Sequence, residues 1–129
     1  MTKELNNKHK GSKFTVEHCH GAIESFEEAL ISVTPHNKKN SIKRAIIQLI
    51  ERLAEGRPMS SENFPQEGNL PKSSGKFHAF KKLPIRAYCW LSKKHPNTYF
   101  ISHYIYKDKQ KLDKRDTDKV HANWREKED

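Results

Sequence analysis

The chain has 129 residues, of which 33% are hydrophobic and 32% charged, and its formal net charge is +9. That length suits one modest core, and the composition is apolar-poor without being that of a disordered chain. No apolar run approaches the roughly 20 residues that cross a bilayer, and no h-region follows Met1, so a cytoplasmic protein with no membrane partner is expected.

The location of the charge is more informative than its size. Residues 76–125 hold 13 of the 25 Lys and Arg but 4 of the 16 Asp and Glu, while the rest of the chain is balanced. Charge carried only for solubility has no reason to segregate, so a polyanionic partner is predicted. A membrane surface fits less well, because this half has no basic amphipathic helix with a large apolar face. Cys19 and Cys89 match no metal spacing and read as two small buried hydrophobes rather than as a disulfide.

In chain order, residues 1–12 are polar and read as a flexible tail ahead of a single domain over 13–129. Lys13–Glu17 alternates like a short strand. From His18 to Val33 the apolar residues Cys19, Ala22, Ile23, Phe26, Ala29, Leu30 and Val33 recur at helical steps, and Thr34-Pro35 stops the helix. A second helix is predicted over Ser41–Glu55, with Ile42, Ala45, Ile46, Leu49, Ile50 and Leu53 on one face and Gly56 and Pro58 ending it. The two should form a helical hairpin whose apolar stripe covers the strands that follow. Residues 57–75, rich in Pro, Gly, Ser and Asn, read as a long loop.

Three strands are then predicted, Lys76–Lys82, Ile85–Leu91 and Thr98–Tyr106, with Asp113 capping a short C-terminal helix. The fold class is therefore α+β: a small antiparallel sheet of three to four strands against an N-terminal helical hairpin. On the last strand Tyr104 and Tyr106 share a face with Phe100 and Ser102, and His103 shares the other with Tyr99, Ile101 and Ile105. The second set is the more apolar, which assigns it to the core and turns the tyrosines outward. Only a bulge would bring His103 and the tyrosines to one substrate.

Lys107, Lys109 and Lys111 follow directly, and such a fan of ammonium groups suits a phosphate backbone. Arg86, Tyr88 and Trp90 alternate on the middle strand, a cation interleaved with aromatics that could stack on bases or belong to the core. His103 suits proton transfer but reads equally well as a packed core histidine. His78 and His95 read as surface residues, and His121, beside Val120 on the last helix, is a further candidate for RNA contact. No metal-ligand spacing and no phosphate-cradling Gly-rich loop occurs, so no cofactor is expected.

The segments Phe77-His-Ala-Phe-Lys-Lys82, Ile85-Arg-Ala-Tyr-Cys-Trp90 and His103-Tyr-Ile-Tyr-Lys-Asp-Lys-Gln-Lys-Leu112, ahead of the Asp113 helix, resemble those of the RelE/ParE superfamily of bacterial toxins. The resemblance covers roughly residues 13–125. It implies a toxin neutralised by a cognate antitoxin, and on the mRNA-interferase branch a ribosome-dependent endoribonuclease that cuts mRNA by metal-free acid–base chemistry. Arg86, His103, Tyr104, Tyr106 and Lys109 are the implied catalytic positions, with Lys81, Lys82, Lys107 and Lys111 as implied RNA contacts; Arg115 and His121 join them as RNA-contact candidates from the basic half of the chain. The alternative is a non-catalytic binder on the same scaffold, acting on DNA gyrase or on nucleic acid.

Overall fold

A computed structural model describes residues 4–82, 84–107 and 112–129, Lys82 in its main chain alone. Among these residues six strands and three helices follow the order β1 (Lys8–Lys10), β2 (Thr15–His18), α1 (Ala22–Ile31), α2 (Lys38–Ala54), β3 (Gln66–Asn69), β4 (Lys76–Lys82), β5 (Ile85–Leu91), β6 (Thr98–Tyr106) and α3 (Lys114–Glu128). The class is α+β, with one open mixed sheet in the order β1-β2-β6-β5-β4-β3. β2 and β6 run parallel, and every other pair is antiparallel. None of the described helices is long and apolar enough to cross a membrane.

The sheet is wider than the three to four strands predicted. β1 lies within the stretch read as a flexible tail, and β3 within the stretch read as a loop. Both are short and polar, so neither carries the apolar alternation by which a strand is recognised. The first segment is held by more than β1: Lys13 and Phe14 donate their N–H groups to the carbonyl of Ala54, at 3.0 and 2.9 Å. Gly11 passes so close to Ala54 that a Cβ there would collide with its backbone.

One face of the sheet is covered by α1 and α2. Phe26, Leu30, Ile42, Ile46 and Ile50 pack there on Val16, Phe80, Ile85, Ala87, Cys89, Ile101 and Tyr104. The pair departs from the predicted hairpin in arrangement: α1 lies along β6, α2 reaches β1, β2 and β4, and each helix meets the sheet more than its companion. Gly56, with φ 73°, ends α2 in the left-handed conformation that glycine adopts without steric cost.

The opposite face is covered as well. Val120 and Trp124 of α3 pack on Phe77, Ala79, Tyr88, Trp90 and Phe100. Burying a large apolar side chain contributes about 1.5–3 kcal/mol, so these two anchors suffice to seat a helix that is otherwise polar. α3 spans 15 residues, longer than the short helix predicted. Its far end is fastened by Glu128, whose carboxylate accepts from Ser92 Oγ at 2.6 Å and from the backbone N–H groups of Lys93 and Lys94 at 3.0 and 3.1 Å. Burial opposes the charge on Glu128, but these donors outweigh it and hold the carboxyl below its ordinary range. The cationic face that the sequence suggests is open is therefore roofed by a helix.

Candidate functional site

The β5–β6 register places Tyr88 opposite His103 but Cys89 opposite Ile101, so Ser102 is an extra residue bulged out of β6. The bulge shifts the alternation of everything after it. His103 and Ile105 turn to the α3 face, and Tyr104 turns under α1. Strand alternation alone puts Tyr104 on the open side; instead it is buried, stacked near His18 and edge-on to Phe26. Burial raises its phenol well above the ordinary value. Tyr104 therefore stands away from the other candidates, across the sheet.

On the α3 face a polar network fills the space between the sheet and the helix. His103, 1% exposed, meets Ser102 Oγ through Nδ1 at 2.8 Å and Asp116 Oδ1 through Nε2 at 3.0 Å. Asn123 Nδ2 donates to Ser102 Oγ at 2.8 Å and to the Ser102 carbonyl at 3.3 Å. Serine, histidine and aspartate are the members of a hydrolase triad, but here the serine is buried and already accepts from Asn123, so it is not an available nucleophile. Beside this network Arg86 is fully buried, with Nη1 3.7 Å from Glu67 Oε1. Glu67 is the residue at which the β3–β4 register slips, and that bulge aims it at Arg86. Burial, reinforced by the charge of Asp116, pushes the Tyr88 phenol up.

Where β6 ends and α3 begins, a cleft of about 400 Å³ opens, lined by His103, Tyr106, Lys107, Arg115, Asp116 and Lys119, together with Ile105 and Asp113. α3 starts there because Asp113 caps it, accepting from the N–H of Arg115 at 2.9 Å. That hydrogen bond is the main reason its carboxyl lies below the ordinary range. Among the described residues neither Lys107 nor Lys119 is ion-paired, although Lys107 Nζ is itself buried, whereas Asp113 and Asp116 already have partners in Arg115 and His103. The cleft is therefore cationic, with Tyr106, 41% exposed, at its rim. A larger cavity of about 700 Å³ lies between α2 and residues 57–63, lined by Leu49, Arg52, Glu55 and Met59, and contains none of these groups.

Of the predicted site residues, the cleft brings together His103, Tyr106, Lys107 and Arg115. Arg86 lies on the same side of the sheet but is buried rather than presented, and Tyr88 and Trp90, the candidate stacking residues, are core. Lys81 is half-buried and faces Arg86 across the β4–β5 pair; Lys82 pairs with Ile85 in the ladder. Lys109 and Lys111 lie outside the described residues. His121 is tied elsewhere, its Nε2 2.7 Å from the carbonyl of Asn69 on β3. His78 and His95 are not simple surface residues: His78 stacks on Phe64, and His95 packs edge-on against Phe100.

Glu67, Ser102, Asp116, Lys119 and Asn123 are absent from the sequence-based set. The helical spacing of Asp116, Val120 and Asn123 is the signal that could have found two of the network's members, since it puts polar groups on the stripe that Val120 and Trp124 bury. Among the described residues no group of three or more His, Cys, Asp or Glu is placed to hold a metal ion. Comparison with protein families, with curated proteins and with solved structures returns no match for the chain.

Proposed function

We propose that the chain is a toxin of the RelE/ParE kind, an endoribonuclease acting on mRNA at the ribosome and held in check by a cognate antitoxin. One observation carries the reading: the exposed Arg115 and Lys119 line, together with Lys107 and Tyr106, a single cleft in the basic half of the chain. The succession of β2, two helices, the β4–β5–β6 meander and a closing helix supports it, because that is the order the resemblance implies.

The chemistry such a cleft serves is transesterification. The 2′-oxygen of a ribose forms a bond to the adjacent phosphorus while the bond from phosphorus to the 5′-oxygen breaks. A base takes the 2′ proton, and an acid gives one to the departing 5′-oxygen. Lysine and arginine stabilise the extra negative charge on the phosphorane without a metal ion. His103, whose nitrogens are both engaged, holds Asp116 in place.

A second reading, a binder without catalysis, is favoured by the burial of Arg86 and His103. One experiment separates the two. The purified protein is added to a reconstituted translation system, and in parallel to a gyrase supercoiling assay. The nuclease reading expects translation to stop with cleaved mRNA and supercoiling to continue; intact mRNA with failed supercoiling would overturn it.

A further inference from the structure

The hydrogen bonds around Ser102 can be assigned a direction, and the direction has a chemical consequence. Asn123 brings one amide atom to both the carbonyl and the hydroxyl of Ser102. A carbonyl oxygen only accepts, so that atom is the NH₂ group, and Ser102 Oγ is its acceptor. The serine hydroxyl then has its own hydrogen to place, and His103 Nδ1 at 2.8 Å is the neighbour that can take it. At the other end of the ring Asp116 carries a carboxylate, which only accepts, so His103 Nε2 bears the hydrogen. Every bond in the chain from Asn123 through Ser102 and His103 to Asp116 runs one way.

We propose that Asn123 is a positioning residue that fixes His103 as the Nε2–H tautomer. This deepens the nuclease reading and rests on it for its functional meaning. With Nδ1 occupied by the serine hydrogen and Nε2 spent on Asp116, His103 has no free lone pair to accept the 2′ proton. Its task is to hold Asp116 at the wall of the cleft, beside Arg115 and Lys119. The base of the reaction is then another group of the cleft.

The test is nitrogen-15 NMR of the imidazoles in the purified wild-type protein and in N123D. The wild type is expected to show His103 with pyrrole-type Nε2 and pyridine-type Nδ1. Aspartate at 123 accepts instead of donating, so Ser102 must turn its hydrogen toward it, and Nδ1 of His103 should acquire a hydrogen of its own. A wild-type Nδ1–H tautomer, or a pattern unchanged in N123D, would overturn the proposal. S102A/N123D supplies a second measurement: with the serine hydroxyl gone, aspartate at 123 should no longer alter Nδ1 of His103, and a change that persists in the double variant would overturn the relay. If wild-type protein leaves mRNA intact, the nuclease reading fails while the tautomer result still judges Asn123.

Discussion

The hydroxyl of Tyr104 lies 2.7 Å from Nε2 of His18, and Nδ1 of His18 donates to the carbonyl of Asn6 at 2.8 Å. One imidazole thus joins the N-terminal segment to the middle of β6 beneath α1. Burial holds its pKa below the usual 6.5, and burial does the same for His78. For both, the unfolded chain binds protons that the folded chain refuses. The stability they contribute is present above about pH 6.5 and is lost as the pH falls below it. Thermal unfolding from pH 8 to pH 5 should show Tm falling below neutrality. A Tm that stays flat or rises as the pH drops would contradict this linkage.

Removing the phenol oxygen tests the same contact without changing pH. Tyr104→Phe leaves a buried histidine nitrogen without its donor, which should cost about 1–3 kcal/mol in urea unfolding. Because Tyr104 lies across the sheet from the cleft, RNA affinity should be unaffected. A loss of affinity in a fully folded variant would return Tyr104 to the site.

Arg115 and Lys119 can be reversed in charge with little structural consequence, since both are exposed. Arg115→Glu and Lys119→Glu should weaken single-stranded RNA binding. Each contact removed should lower the slope of log K against log salt by about 0.7. Titrations at four salt concentrations measure this; an unchanged slope would place the RNA elsewhere.

Trp124 seats α3 on the sheet. Trp124→Ala should destabilise the protein by about 3–5 kcal/mol and expose the face behind the cleft. Faster amide exchange along α3 and β5 than along α2 is the expected signature, and uniform exchange would show that α3 has no separate hold.

Gly11 offers a test of the N-terminal segment. Gly11→Ala forces a methyl group against the backbone of Ala54, and overpacking of this kind costs about 1–3 kcal/mol. Limited proteolysis should then cut first between residues 4 and 13, whereas wild-type protein resists there.

Much of this architecture was legible in the residues. The spans Lys76–Lys82, Ile85–Leu91 and Thr98–Tyr106 coincide with β4, β5 and β6, because their apolar density and flanking turns leave no other reading. Asp113 is the helix cap that its type and position suggest. β1 and β3 were not legible, since Lys-His-Lys and Gln-Glu-Gly-Asn owe their strand conformation to a neighbouring edge rather than to their own pattern. The candidate site was half legible. Residue type singled out His103, Tyr106 and Lys107, but alternation could not reveal the bulge at Ser102. One inserted residue exchanges the faces of His103 and Tyr104, and with them core and cleft. Arg86 was found by type and misjudged in exposure, because a long polar helix gives little notice of the two anchors that make it a roof.

The two rims of the sheet carry a further consequence. One ends in the three residues of β1, two of them lysine, and the other in the four residues of β3, bent at Glu67. Neither offers a foreign chain enough straight backbone to dock as a seventh strand, and the lysines of β1 oppose the pairing of two β1 rims. Concentrated solutions of the folded protein should stay free of fibrils. An inhibitor that silences the cleft must reach it with side chains, from above.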